Sequence, residues 1–302
     1  MVFAPSAVKA QAFSALSSCR SERWIMQTPH PNFPVIDAHV HLYPDALAPK
    51  VVPVLSKRFG NPPAFNGTIA ECRANAANAG ISLSVNLPVA TTPDHVGHTN
   101  AFWAQYAAKT KVDESAVMSL AALHPKTLNA ANEVCEIARM GFSGIKFHPE
   151  YQNFRFNDAL MDDIWAAMEE AELVAYLHAG GERVFSAPFH SSPSEILTLH
   201  KRFPKLKIAA AHLGGFGMWD EVEETLIGEN VFLDLSHTFF WMPNEQIFRM
   251  IRMHGANRIL FGTDAPWQDP AAVISEFLKL PLSEKERHAI CYETAHELFG
   301  MG

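Results

Sequence analysis

The chain has 302 residues, of which 48% are hydrophobic, enough for one large core or two small ones. Its formal net charge of −8 shows no basic excess, so we expect no nucleic-acid partner, which would need a concentrated basic patch. No apolar run approaches the roughly 18 residues that cross a bilayer, so we expect no membrane span. The four cysteines are far apart and form no Cys-x-x-Cys pair, which favours free thiols and a cytoplasmic location.

Residues 1–33 show no clear periodicity. The stretch SALSSCRSER is rich in Ser and Arg and poor in acids, as in a transit peptide, but it lacks the long apolar segment of a secretory signal. We interpret this segment as an N-terminal extension, either disordered or translated from an upstream start codon, with Met26 as the true beginning. The predicted folded domain is residues 34–302.

From residue 35 onward, short apolar runs alternate with segments of helical spacing. The strands are predicted at 35–41, 82–87, 116–123, 144–148, 173–178, 207–212, 231–236 and 258–263. The helices are predicted at 68–79, 99–109, 129–140, 158–171, 194–203, 218–226, 244–254 and 283–300. Eight such units without a linker predict a single-domain α/β fold, a closed (β/α)8 TIM barrel. An open doubly wound sheet would be favoured by a Gly-rich phosphate loop after the first strand, and HVHLYPD contains none.

The first predicted strand, in VIDAHVHLYP, carries Asp37, His39 and His41 at alternate positions. Successive side chains of a strand point to opposite faces, so these three share one face. Burying three polar groups without partners costs several kcal/mol. We therefore expect a bound ion or a hydrogen-bond network to hold them.

Further polar residues end the later strands: Lys146 and His148 in GIKFHPE, His178 in LVAYLHAGG, His212 in KIAAAHLGG and Asp264 in ILFGTDAPW. Each has a simpler interpretation alone, such as a structural histidine or a helix N-cap. In a TIM barrel, however, strand ends meet at one mouth, where catalytic residues lie. Imidazoles and a carboxylate gathered there suit zinc and other divalent ions. The strand ends together predict a metal site.

A metal site with an open coordination position lowers the pKa of bound water to roughly 7, and a nearby carboxylate can take the proton. Asp37 is predicted to support His39 and His41 from below. For Lys146 we keep three interpretations: a salt bridge inside the barrel, contact with an anionic substrate, or carboxylation to bridge two metals. His148 is predicted to line the substrate pocket or to shape the turn.

The runs IDAHVH, GIKFHP, YLHAGG, AAHLGG and ILFGTDAPW, in this order, resemble the amidohydrolase superfamily, and more narrowly its amidohydrolase-2 branch of TIM-barrel, metal-dependent hydrolases. The resemblance implies that His39, His41 and His178 bind the metal. Asp264 would bind it too and shuttle the proton of the water, and His212 would polarise the substrate or the water. We favour one zinc ion per chain, with manganese as the alternative and two metals kept open.

The sequence thus predicts an enzyme that hydrolyses a small amide, ester or lactone. The alternative is a metal-dependent, non-oxidative decarboxylase of a small carboxylic acid, which would need a cation such as Arg183 in the mouth. A non-catalytic binding barrel is a third hypothesis. Aromatic residues after strands seven and eight, Phe239, Phe240, Trp241 and Trp267, would form a substrate wall, pack loop against barrel, or bury a contact between copies of a homo-oligomer.

Overall fold

The structure, a computed structural model, describes residues 31–110 and 116–301. The predicted N-terminal extension therefore lies almost entirely outside the described residues. None of the helices in the described ranges is both long enough and apolar enough to span a bilayer.

The strands form a ring of parallel neighbours. In chain order they are β1 (Ile36–Val40), β2 (Leu83–Asn86), β3 (Ala116–Ser119), β4 (Ala121–Ala122), β5 (Gly144–Phe147), β6 (Val174–Leu177), β7 (Ile208–Ala210), β8 (Phe232–Asp234) and β9 (Ile259–Leu260). β1, β2 and β3 pair in this order, and so do β4 to β9. All these pairings are parallel.

Two further contacts complete the barrel. β3 and β4 are halves of one predicted strand interrupted at Leu120, whose N–H donates to the carbonyl of Asn86 (3.0 Å). The ring closes between β9 and β1, where the N–H of Ala38 donates to the carbonyl of Phe261 (2.8 Å). The predicted (β/α)8 barrel is confirmed.

Twelve α-helices are described: α1 (Ala48–Phe59), α2 (Ile69–Asn78), α3 (His95–Lys109), α4 (Ala130–Arg139), α5 (Pro149–Gln152), α6 (Asp162–Glu170), α7 (Pro193–Arg202), α8 (Trp219–Thr225), α9 (Asn244–His254), α10 (Pro270–Phe277), α11 (Glu284–His288) and α12 (Thr294–Leu298). Helices α1, α5 and α10 were not predicted from the sequence. α5 has only four residues, and Pro53 inside α1 and the prolines in the first turns of α1 and α10 masked the periodicity of the other two.

The last predicted helix is broken by a π-helical turn. α11 and α12 are separated by residues Ala289–Glu293, which follow i→i+5 bonding. The carbonyl of Ile290 accepts a hydrogen bond from the N–H of Phe261, just after β9 (3.0 Å). This turn therefore ties the last helices to the barrel wall.

The apolar core divides into two clusters. The larger joins the strands to the surrounding helices, with Trp165, Ile247 and Phe277 among its members. The smaller joins Tyr176 and other strand residues to Leu298 and Phe299 at the end of the chain. Tyr176 and Phe299 stack with ring centroids 6.5 Å apart.

Candidate metal centre and binding cavity

The two histidines at the end of β1 each have Nδ1 next to an acceptor. Nδ1 of His39 lies 2.8 Å from Oδ2 of Asp234, and Nδ1 of His41 lies 2.9 Å from the carbonyl oxygen of Leu87. A carboxylate and a carbonyl only accept, so each Nδ1 carries the hydrogen and each Nε2 keeps its lone pair. Burial lowers the pKa of His39 to about 4, which keeps its ring neutral at pH 7.

These two lone pairs meet each other and one carboxylate oxygen. Nε2 of His39 lies 3.1 Å from Nε2 of His41, and these atoms lie 3.5 and 3.3 Å from Oδ1 of Asp264. Three facing acceptors repel one another unless a cation lies among them. Ligand atoms around a tetrahedral zinc are about 3.3 Å apart. The donor set therefore fits a divalent metal ion, and we call these three residues the metal group.

Asp264 is held in its ionised form. Burial raises its pKa, but contacts with His237, His41 and His39 outweigh burial and hold the pKa well below its usual range. Oδ2 of Asp264 lies 3.1 Å from Nδ1 of His237. The sequence analysis did not single out His237, although it follows β8 at the same edge of the barrel as the other site residues.

His212 and His178 form a second chain of contacts. Nδ1 of His212 lies 3.2 Å from the carbonyl oxygen of Ser236, and its Nε2 lies 3.3 Å from Nδ1 of His178. When Nδ1 of His212 donates to this carbonyl, Nε2 accepts from His178, whose own Nε2 keeps a lone pair. That atom is buried and has no hydrogen-bond partner in the described ranges, as expected of a metal ligand.

His178 nevertheless lies outside the metal group, whose ligand atoms are all within 4.8 Å of one another. A different group contains it, with His148 and Glu182. The rings of His148 and His178 are stacked at 3.9 Å with an interplanar angle of 10°. In-plane lone pairs of parallel stacked rings run side by side and do not converge on one ion. We therefore interpret His148 and Glu182 as cavity wall, and the role of His178 as a ligand stays a prediction.

Asp234 connects the His39–His41 pair with His212 through hydrogen bonds. It accepts hydrogen bonds from the hydroxyl of Tyr176 (2.6 Å) and from the N–H groups of His212 (3.0 Å) and Ser236 (2.8 Å). Burial opposes its ionisation, but contacts with His39, His212 and Ser236 together outweigh burial and hold the pKa of Asp234 well below its usual range. The carboxylate therefore fixes the ring of His39 and the backbone of His212 in one arrangement.

Asp37 and Lys146, two further buried residues that the sequence singled out, have different surroundings. Asp37 accepts from the N–H groups of Thr263 (2.9 Å) and His39 (3.2 Å), so it supports the site through the backbone. Lys146 is 1% exposed, and its Nζ lies 5.1 Å from the ring centre of Tyr176. Burial lowers the pKa of Lys146 to about 8. The cavity wall does not include Lys146, so direct contact with a substrate has no support in this geometry.

Three site residues have left-handed backbone conformations: His212 (φ 58°), His237 (φ 56°) and Asp264 (φ 64°). Such conformations cost roughly 1–3 kcal/mol each outside glycine and cluster at functional sites. All three residues follow strands of the barrel. Tertiary contacts therefore hold them in place against their local preference.

A cavity of about 800 Å³ opens over the metal group. Its wall includes His41, His178, His212 and Asp264, together with the predicted substrate contacts His148, Arg183 and Trp267. Aromatic and apolar side chains form most of the remainder: Leu42, Tyr43, Leu47, Val51, Leu55, Phe59, Leu87, Val89, Phe102, Trp103, Tyr151 and Phe216. Arg58 and Glu182 also line the cavity, and the sequence analysis singled out neither.

The proposed aromatic wall divides among different roles. Trp267 lines the cavity and packs edge-on against Phe59 at 5.0 Å. Trp241 stacks on His237 with ring centroids 5.6 Å apart. Phe239 is buried, whereas Phe240 is exposed. Of the four, Trp267 contacts the cavity space, and Trp241 supports a site residue.

Comparison with known proteins gives the family and the fold. A family model for amidohydrolases matches residues 36–301. A search of the curated proteins found no match.

Solved structures share the fold at low identity. The 5-carboxyvanillate decarboxylase of Sphingomonas paucimobilis aligns with a TM-score of 0.69 at 17% identity, covering 88% of this chain and 99% of that one. The 2,6-dihydroxybenzoate decarboxylase of Rhizobium gives 0.68 at 18%, covering 89% and 99%. A dihydroxybenzoic acid decarboxylase from Polaromonas sp. JS666, with bound manganese and 2-nitroresorcinol, gives 0.65 at 19%, covering 89% and 97%.

Proposed function

The chain belongs to the amidohydrolase family, and on that premise we propose that it is a divalent-metal-dependent, non-oxidative decarboxylase of a small carboxylic acid. The sequence favoured a hydrolase and kept the decarboxylase as the alternative. We now favour the decarboxylase and keep the hydrolase as the second candidate. The three solved structures described above are decarboxylases of aromatic acids, and the cavity contains the cation that this alternative requires.

The observation that carries the proposal is Arg183. Its guanidinium lies over the ring of Trp241 at 5.3 Å and lines the cavity above the metal group. Within residues 31–110 and 116–301 it forms no ion pair with a carboxylate. A guanidinium matches a carboxylate with two parallel hydrogen bonds. Arg183 is therefore suited to bind the carboxylate of an incoming acid.

The cavity wall favours a flat, largely apolar substrate. Seven aromatic residues line it: Tyr43, Phe59, Phe102, Trp103, Tyr151, Phe216 and Trp267. Aromatic faces and edges stack on a planar ring and exclude water. The proposed substrate is thus an aromatic or similarly flat carboxylic acid.

His39, His41 and Asp264, with His178 as the proposed fourth ligand, would hold the metal. When bound, it supplies positive charge that stabilises developing negative charge. Decarboxylation breaks the bond between the carboxylate and its carbon and releases CO₂. The electron pair stays on that carbon, which takes up one proton. We assign the transfer of this proton to Asp264, after uptake from solvent, and a hydrogen bond to the substrate to His212.

The test measures CO₂ release by manganese- and zinc-loaded protein from a panel of hydroxybenzoates and related acids. We expect turnover of at least one acid. Arg183→Met should raise its KM about tenfold or more, because a charge-assisted contact is lost. The matched control is Arg139→Met, a surface arginine paired with Glu136 on α4, which should leave KM unchanged. Failure to release CO₂ from any acid in the panel, with either metal bound, would contradict the proposal.

Hydrolysis remains the second candidate because Asp264 is ionised and lies against the lone pairs of His39 and His41. A carboxylate in this position can take a proton from an attacking water. Assays with small amides, esters and lactones test this candidate. Product from one of them, without CO₂ release from any acid, would restore the hydrolase as the better assignment.

A further inference from the structure

Arg58 is a second cation on the cavity wall, and the proposed reaction has no role for it. It lies in the last turn of α1, next to Lys57. Its guanidinium carbon lies 4.8 Å from the ring centre of Tyr151 and 5.7 Å from that of Phe185. Contact with two rings restricts the side chain, so less conformational entropy is lost when it binds an anion.

Arg58, like Arg183, lacks an acidic partner in the described part of the chain, whereas other surface arginines have one. Five of them pair with carboxylates: Arg139, Arg155, Arg202, Arg249 and Arg252. Arg58 forms no such pair with any residue in the described ranges. Its N–H donors therefore remain available on the wall of the cavity.

Arg58 and Arg183 reach this cavity from different aromatic groups. Arg58 packs on Tyr151, whose ring lies 4.3 Å from that of His148. Arg183 packs on Trp241, which stacks on His237 beside Asp264. The wall of the cavity thus carries two guanidinium groups, one from α1 and one from the segment after β6.

On the basis of the proposed function, we propose that Arg58 binds a second acidic group of the substrate, on the other side of its ring from the carboxylate that Arg183 holds. The substrate class is then a small aromatic dicarboxylate. Arg58 is a specificity residue for this class. It takes no part in breaking the carbon–carbon bond.

The experiment compares two probes by calorimetric titration of the manganese-loaded protein: isophthalate, with two carboxylates on one ring, and benzoate, with one. We expect isophthalate to bind about tenfold more tightly or better, the scale of one charge-assisted contact. Arg58→Met should reduce this preference to about twofold or less, and Arg58→Lys should restore part of it. Lys57→Met, which removes the same charge from the adjacent exposed position, should leave the preference intact.

Two outcomes would overturn the inference: a preference that survives Arg58→Met, or an equal loss in Lys57→Met, which would reflect long-range charge alone. Absence of isophthalate binding at millimolar concentration would also overturn it. Because binding needs no turnover, its failure is separable from failure of the decarboxylase assignment. An Arg58-dependent preference without CO₂ release from any acid would support the subsite and contradict the assigned reaction.

Discussion

At the scale of single residues, the site depends on which nitrogen of each histidine carries the hydrogen. The Nδ1–H groups of His39 and His41 donate hydrogen bonds to Asp234 and to the carbonyl of Leu87. Both Nε2 lone pairs are therefore left facing Asp264. The sequence showed that these residues share a face. Their tautomers follow from acceptors that come from other strands, far away along the chain.

Asp264→Asn should lower turnover at least about 100-fold, the usual scale for a positioned proton-transfer group. The amide keeps the size of the side chain but removes the charge that faces the lone pairs of His39 and His41. Steady-state rates of metal-loaded protein measure the effect. Asp163→Asn, an exposed position in the first turn of α6, is the matched control and should keep normal rates. Near-normal activity in Asp264→Asn would remove this carboxylate from the proton-transfer step.

At the scale of elements, the loops that leave the strands are fixed by close backbone contacts. Gly180, after β6, has φ +85°, and its N–H donates to the carbonyl of Ser191 (2.7 Å). A Cβ there would overlap the backbone of Gly215 and Phe216. These contacts join the segment after β6 to the one after β7, and so place His178 near His212.

Gly180→Ala should therefore lower the free energy of unfolding by roughly 2 kcal/mol or more, through overlap and an unfavourable φ. Urea denaturation measures it. In Gly97→Ala, on α3, a Cβ meets nothing within 4 Å, and the free energy of unfolding should stay equal or rise slightly. Equal stability of the two variants would show that the segment after β6 can shift to accommodate a Cβ at position 180, and would contradict a fixed backbone contact there.

The end of α9 carries a pH-dependent contact outside the site. Nε2 of His254 donates to the carbonyl of Val231 (2.7 Å), and Nδ1 accepts from the N–H of Gly228 (3.2 Å). Burial lowers the pKa of His254 from 6.5 to about 4. Between these two values the unfolded chain binds a proton that the folded chain excludes. The stabilisation is therefore present above pH 6.5 and is lost as pH falls toward 4.

His254→Gln should flatten the pH dependence of stability in this range by an amount on the order of 3 kcal/mol. Urea unfolding of wild type and variant, at steps between pH 4.5 and 7, measures the difference. His98→Gln, at an exposed position on α3, serves as the control and should follow the wild-type curve. Parallel curves for wild type and His254→Gln would contradict a neutral buried His254.

At the scale of the whole molecule, the barrel brings strand ends together that are far apart in sequence. His39 and Asp264 come from the first and last strand regions and meet where the ring closes, because the N–H of Asp264 donates to the carbonyl of His39 (2.8 Å). The metal group therefore spans the closure of the barrel. Metal binding should stabilise the complete fold.

Chelator treatment should lower the melting temperature and abolish activity, and Mn²⁺ or Zn²⁺ should restore both. Elemental analysis should give about one metal per chain, because the three ligand atoms of the metal group lie within 4.8 Å of one another and can surround one ion. About two metals per chain would instead support a carboxylated Lys146 that bridges them. No uptake after reconstitution would contradict a metal centre and favour the non-catalytic binding barrel.

The sequence by itself determined the barrel, the mouth at which polar residues collect, and most of the candidate metal ligands. Strand periodicity and residue type are local properties, and they can be read along the chain. Only the tertiary structure decided the tautomers of His39 and His41. It also decided that His237 and Arg58 line the cavity and that Lys146 does not. These depend on distances between residues far apart in sequence. Arg58 was not singled out from the sequence because it lies on helix α1, whose prolines concealed the helical pattern.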